Sequence, residues 1–128
     1  MGTAHQKFAE TLEEQISTLN NLAAGNIFSR IPADLPEEKI DLLLQAPGLR
    51  LERIISAGQA TPKGQWYDQD SDEWVVLLAG RAGLLFENEA KTRIMEPGDW
   101  VLIPAHCRHR VEWTDAAQKT VWLALHHK

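Results

Sequence analysis

From Leu49 to the C-terminus the chain keeps a period of two, and this alternation constrains its fold more than any other feature. LRLERIIS sets Leu49, Leu51, Arg53 and Ile55 on one side and Arg50, Glu52, Ile54 and Ser56 on the other. WVVLLAG, AGLLFENE, TRIME, DWVLIPA, HRVEWT and KTVWLALHH follow at strand-like length. Successive side chains of a strand point to opposite faces, so such segments present one face to a core. Gly80, Gly83, Asn88, Pro97-Gly98-Asp99 and Thr114-Asp115 punctuate them as turns. Many short strands without intervening helices specify an all-β antiparallel sandwich or barrel.

The N-terminal part reads differently. Phe8, Leu12, Ile16, Leu19 and Ala23 recur at three- and four-residue steps and end near Gly25-Asn26. This predicts an α-helical extension over residues 1–25, with the β domain occupying 26–128. One narrow apolar stripe on a short helix needs a surface to pack on, either its own domain or a partner subunit. NIFSRIP reads as a short edge strand stopped by Pro32, and PEEKIDLLLQAPG as a short helix-like turn or loop.

The chain's 128 residues suffice for one domain with its own core. A net charge of −5 disfavours binding to a phosphate backbone, so nucleic acid is not expected as a partner. No apolar run reaches membrane-spanning length, the N-terminus has no apolar signal region, and a single cysteine, Cys107, suits a reducing compartment. A cytoplasmic protein is expected, without a membrane partner.

Two blocks carry the candidate chemistry. In GQWYDQDSDEWVVLLAG, Glu73 precedes Gly80 by six intervening residues. In GDWVLIPAHCRHRVEW, five residues separate Gly98 from Pro104, and His109 follows. These blocks resemble the paired motifs of the cupins, small jelly-roll β-barrels that hold a metal or ligand inside. The first cupin motif reads G, five residues, H-x-H, three or four residues, E, six residues, G. The second reads G, five residues, P-x-G, two residues, H, three residues, N. Glu73 and Gly80 match the end of the first; Gly98, Pro104 and His109 match the second. His106 stands where the family has glycine and Trp113 where it has asparagine.

The first motif's histidine pair is missing. Trp66 and Asp68, or Tyr67 and Gln69, fall at those positions depending on the spacing. Indole cannot ligate a metal, whereas Asp68 and, more weakly, Gln69 can. The resemblance therefore implies a divalent ion (Mn, Fe or Zn) held by Glu73 and His109, with Asp68 or Gln69 completing the set and His106 or water alongside. A cupin jelly-roll barrel with an N-terminal helical extension, acting as a homodimer on a small-molecule ligand, is the expectation. Trp66, Tyr67, His106 and Trp113 are candidate pocket residues. Arg53 joins them if it faces inward and is a surface charge if it faces out.

A metal-dependent enzyme is one function that fits. The alternative is a metal-free module that binds a small metabolite or sugar without catalysis, with Glu73 and His109 simply paired. Cys107 reads as a small buried apolar residue, and Asp70 and Asp72 as solvated turn residues. His126 and His127 read as an exposed strand end.

Overall fold

The computed structural model describes residues 22–128. Eight strands follow one another: β1 Lys39–Ala46, β2 Leu49–Ser56, β3 Asp72–Ala79, β4 Ala82–Phe86, β5 Arg93–Met95, β6 Trp100–Ile103, β7 His109–Thr114 and β8 Thr120–His127. They form a five-stranded sheet, β1-β2-β8-β3-β6, and a three-stranded sheet, β5-β4-β7, with every pairing antiparallel. No helix occurs among the described residues. The expected helical stripe from Phe8 to Leu19 lies outside them.

The expected closed barrel is instead two separate sheets. Among the described residues, the smaller sheet is extended on the side of β7 by the irregular segment before β3. The backbones of Tyr67 and His109 bond each other in both directions, at 2.7 and 3.1 Å, and Thr61 N–H donates to the Val111 carbonyl at 2.9 Å. The core between the sheets is built by Val75, Leu77, Ala82, Leu84, Phe86, Met95, Ile103, Trp122 and Ala124. Along β3 the inward row runs Glu73, Val75, Leu77; along β8 it runs Trp122, Ala124, His126. β3 and β7 therefore begin, and β8 ends, at one polar end of an otherwise apolar interior.

Two local expectations are corrected. KIDLLLQA is strand β1 rather than a helix-like turn. Its pairing with β2 slips between Leu42 and Leu44, and this bulge breaks the alternation that would have identified a strand. NIFSRIP forms a turn rather than an edge strand. Its backbone is recruited by Arg53, which donates from Nη1 to the carbonyls of Ile27 and Ser29, both at 2.8 Å. The same guanidinium bonds Asp41 Oδ2 at 3.0 and 3.3 Å. Arg53 is wholly buried on the face of β2 opposite Arg50, Glu52 and Ile54. It is a structural cation, neither a ligand group nor a surface charge.

Gly80 sits in the turn between β3 and β4 with φ +85°, and a Cβ there would lie 2.4 Å from Thr120 Oγ1. Only glycine fits both the conformation and the space. His106 has φ 63°, in the left-handed region, at the position where the resembling motif carries glycine.

Candidate functional site

Between the sheets, at their polar end, lies a cavity of about 240 Å³. Val75, Leu84, Ile103, Val111 and Trp122 form its apolar floor, while Glu38, Arg50, Glu52, Tyr67, Gln69, Glu73, His109 and His126 carry its polar groups. One row of the large sheet explains much of this lining. Arg50, His126, Glu73 and Ile103 are register partners across β2, β8, β3 and β6. Register partners on one face lie close enough for their side chains to meet.

The Glu73 carboxylate faces the His109 ring, with Oε1 3.7 Å from Nε2. Glu73 is 8% exposed and His109 5%. That separation is longer than a hydrogen bond, and the contact is ionic when the ring is protonated. His109 Nδ1 lies 2.8 Å from the Cys107 carbonyl, which can only accept, so Nδ1 carries the hydrogen and Nε2 is turned to Glu73. Tyr67 and Phe86 flank the ring, their centroids 5.6 and 5.9 Å away. Burial disfavours the imidazolium, but the Glu73 carboxylate and the Cys107 carbonyl more than offset it, and the His109 pKa is raised above its ordinary 6.5.

A second carboxylate–imidazole pair stands beside the first. His126 Nε2 lies 3.3 Å from Glu52 Oε1, and the other Glu52 oxygen accepts from Arg50 Nε at 2.7 Å. The hydrogen bond from His126 holds the Glu52 pKa below its ordinary value against the opposing effect of burial, with Arg50 adding to the lowering. His126 is 6% exposed, so its expected exposure at a frayed strand end is overturned. Its neighbour Leu125 faces away from the cavity, as the alternation of β8 requires.

The structure separates the remaining sequence candidates. Gln69 and Tyr67 line the cavity with Glu73 and His109. Asp68 does not; its Oδ1 lies 2.8 Å from Nδ1 of His106, and both side chains are largely exposed. Trp66 packs under the guanidinium groups of Arg108 and Arg110, each 5.9 Å from its ring, and is not part of the lining. Trp113 covers Gly83 at the end of β7 far from His109, below Arg81, and is likewise no cavity wall. Glu38, Arg50, Glu52 and His126 are the lining residues that the motif comparison passed over. Strand alternation was the available signal for three of them: Arg50 and Glu52 share a face with Ile54, and His126 shares one with Trp122.

The donor set can be weighed against a divalent ion. Glu73 and His109 are two strong donors within reach of one centre, and Gln69 adds only a weak amide oxygen. Among the described residues no group of three or more His, Cys, Asp or Glu side chains is placed to hold a metal. As arranged, the side chains do not fit a tightly held resident ion, which needs more than two strong donors.

A two-sheet antiparallel domain with a carboxylate–imidazole pair inside its polar end defines the class of protein. Residues 53–126 match the family model described as a cupin domain, and the chain belongs to the cupin family. A crystal structure from Ralstonia eutropha, provisionally named a mannose-6-phosphate isomerase, is 50% identical. It superposes with a TM-score of 0.82 over 84% of this chain and 99% of its own. A protein of Thermus thermophilus has a TM-score of 0.67 at 16% identity, over 81% of this chain and 95% of its own. A cupin superfamily protein of Desulfitobacterium hafniense has a TM-score of 0.64 at 19% identity, over 77% of this chain and 84% of its own. These last two likenesses concern the fold alone. No curated protein sequence matches the chain. Among the described residues no helix is long and apolar enough to cross a membrane.

Proposed function

We propose that this cupin binds a small hydroxyl-bearing metabolite in the cavity between its sheets, and that the Glu73–His109 pair transfers a proton on it. One observation carries the reading: a buried carboxylate and a buried imidazole, 3.7 Å apart, line the same cavity side by side. A buried acid and a ring with a raised pKa can hold a proton between them, and either can give it to or take it from a hydroxyl or carbonyl brought within reach. The volume of about 240 Å³ falls below the roughly 300 Å³ at which pockets for drug-sized ligands begin, so the ligand is small. Trp122 and the aliphatic floor offer a flat apolar contact, and the polar end offers hydrogen bonds, a combination suited to a sugar or hydroxy acid.

The name carried by the Ralstonia eutropha relative makes mannose 6-phosphate the first compound to test. Calorimetric titration with mannose 6-phosphate, mannose and a panel of hydroxy acids should yield one ligand that the wild type binds. Glu73→Gln should bind it with little change in affinity but fail to turn it over. If no hydroxylated compound binds, or if turnover survives Glu73→Gln, the reading fails.

A second reading keeps the divalent ion of the sequence expectation, with Glu73 and His109 as donors and Gln69 beside them. It is favoured by the His109 ring orientation, since a second partner on Nδ1 is how ligating histidines are commonly held. Elemental analysis of untagged protein separates the two: stoichiometric Mn, Fe or Zn that Glu73→Gln abolishes would replace the first reading with this one. The homodimer expected from the sequence also remains part of this proposal. An exposed apolar strip on the outer side of β6, Trp100 and Leu102, is the surface that supports it.

A further inference from the structure

We infer that His126 is a ligand-binding residue whose Nδ1 accepts a hydrogen bond from a hydroxyl of the bound molecule, and that Glu52 positions it for this; the inference rests on the proposed reading of the cavity. The first observation is an unmet acceptor or donor. His126 Nδ1 is buried and has no hydrogen-bond partner among the described residues, although the ring lines the cavity. A buried polar atom without a partner costs on the order of 1–3 kcal/mol, so its persistence beside a cavity calls for a group supplied from the cavity.

The second observation fixes the polarity of that group. Glu52 is ionised near neutral pH, because its pKa is lowered, and a carboxylate only accepts. Its Oε2 already receives Arg50 Nε, and its Oε1 faces His126 Nε2. The hydrogen of a neutral His126 ring therefore sits on Nε2, and Nδ1 presents a lone pair. His109 is held the other way round, with its hydrogen on Nδ1 by the Cys107 carbonyl. The two imidazoles thus show opposite nitrogens to the same space, and each has a carboxylate behind or before it.

The third observation is adjacency. His126 and Glu73 are register partners on neighbouring strands, which lie about 4.8 Å apart. A ligand engaged by the Glu73–His109 pair therefore places its next or next-but-one hydroxyl at His126. The ligand class that satisfies both stations is an uncharged diol or polyol segment, one hydroxyl donating to His126 Nδ1 and its neighbour exchanging a proton at Glu73–His109.

Two near-isosteric variants separate recognition from mere packing. In His126→Asn the amide oxygen can stand where Nδ1 was, but the contact to Glu52 is lost. In His126→Gln the amide nitrogen can reach Glu52, but the acceptor at the Nδ1 position is lost. Binding of D-mannose, myo-inositol and glycerol would be measured by calorimetry, alongside their O-methylated counterparts, and thermal stability would be measured on the same samples. The expected result is that the tightest-binding of these polyols loses on the order of tenfold in affinity with His126→Gln, the equivalent of one lost hydrogen bond, and markedly less with His126→Asn. The O-methylated compound should bind the wild type as weakly as the polyol binds His126→Gln.

Stability should run in the opposite order, Gln above Asn. Affinities that follow stability instead, with Gln benign and Asn harmful, would make His126 a packing residue and overturn the inference while leaving the cavity reading intact. If the wild type binds none of the three polyols and no other hydroxylated compound, both fall together.

Discussion

At the scale of single residues, the described part of the interior holds three charged arrangements with different purposes. Arg53 and Asp41 form a wholly buried pair on the far side of β2 from the cavity, with Lys39 Nζ 3.1 Å from the other Asp41 oxygen and two backbone carbonyls accepting from the guanidinium. Such pairs add little net stability but are costly to break, because one charge is left buried without compensation. Asp41→Asn should therefore lower the unfolding free energy by about 3–5 kcal/mol, read from urea denaturation. The joint replacement Arg53→Met with Asp41→Leu should cost less than Asp41→Asn alone.

The Glu73–His109 pair behaves differently with pH. The folded pKa of His109 lies above its ordinary 6.5, so the folded state binds this proton more tightly than the unfolded state. Its stabilising contribution is complete below that value and is lost as pH rises through the folded pKa. Thermal unfolding followed between about pH 5 and pH 9 should show the advantage of wild type over His109→Gln shrinking as pH increases. An advantage that grows with pH would contradict the assigned pairing. Glu52 contributes with the opposite sign: its pKa is lowered by His126 and Arg50, so its contribution is present above its ordinary 4.5 and declines in acid.

At the scale of elements, the turns show what the sequence reveals and what it hides. Gly80 is legible as a turn, and the structure adds the reason: its positive φ and the Thr120 side chain leave no room for a Cβ. Gly80→Ala should cost more than the roughly 1–2 kcal/mol of a left-handed residue alone, as a fall in the denaturation midpoint. His106 is the converse case, since a non-glycine residue occupies a left-handed position and its Asp68 contact is solvent-exposed. His106→Gly should leave stability within about 1 kcal/mol of wild type or raise it.

The strands after Leu49 were readable because alternation there is unbroken and one face is apolar. β1 was not, because its bulge sets three leucines in a row. His126 was misread for a different reason. Nearness to the end of the chain suggests exposure, yet β8 lies between β2 and β3 inside the large sheet and His126 points inward, so it is covered. The cupin motifs mark Glu73 and His109, the two residues that face each other. They do not mark Glu52 or Arg50, which owe their place to pairing with β8 rather than to any spacing along the chain. Nor do they exclude Trp113, where the shift in register between Gly83 and Leu84 disturbs the inward row of β7.

At the scale of the whole molecule, the two faces of the large sheet have separate duties. The inner face carries the core and the cavity. The outer face of β6 exposes Trp100 at 60% and Leu102 at 52%, with Trp100 stacked on Trp74 at 5.9 Å between ring centroids. Contiguous exposed apolar surface of this kind marks association sites more often than chance surface does. The homodimer reading predicts that Trp100→Glu combined with Leu102→Glu shifts the apparent mass in sedimentation velocity from dimer to monomer, without changing the fold. A wild type that sediments as a monomer would end that reading.

The grip of Arg53 on the carbonyls of Ile27 and Ser29 has a consequence for where this domain starts. Residues it depends on lie well upstream of the family match, which begins at Arg53 itself. A version trimmed to residue 31 would keep every strand and still withdraw two acceptors from a guanidinium shut off from water. Such a trimmed chain should express poorly or melt early, whereas one beginning at residue 22 keeps both acceptors.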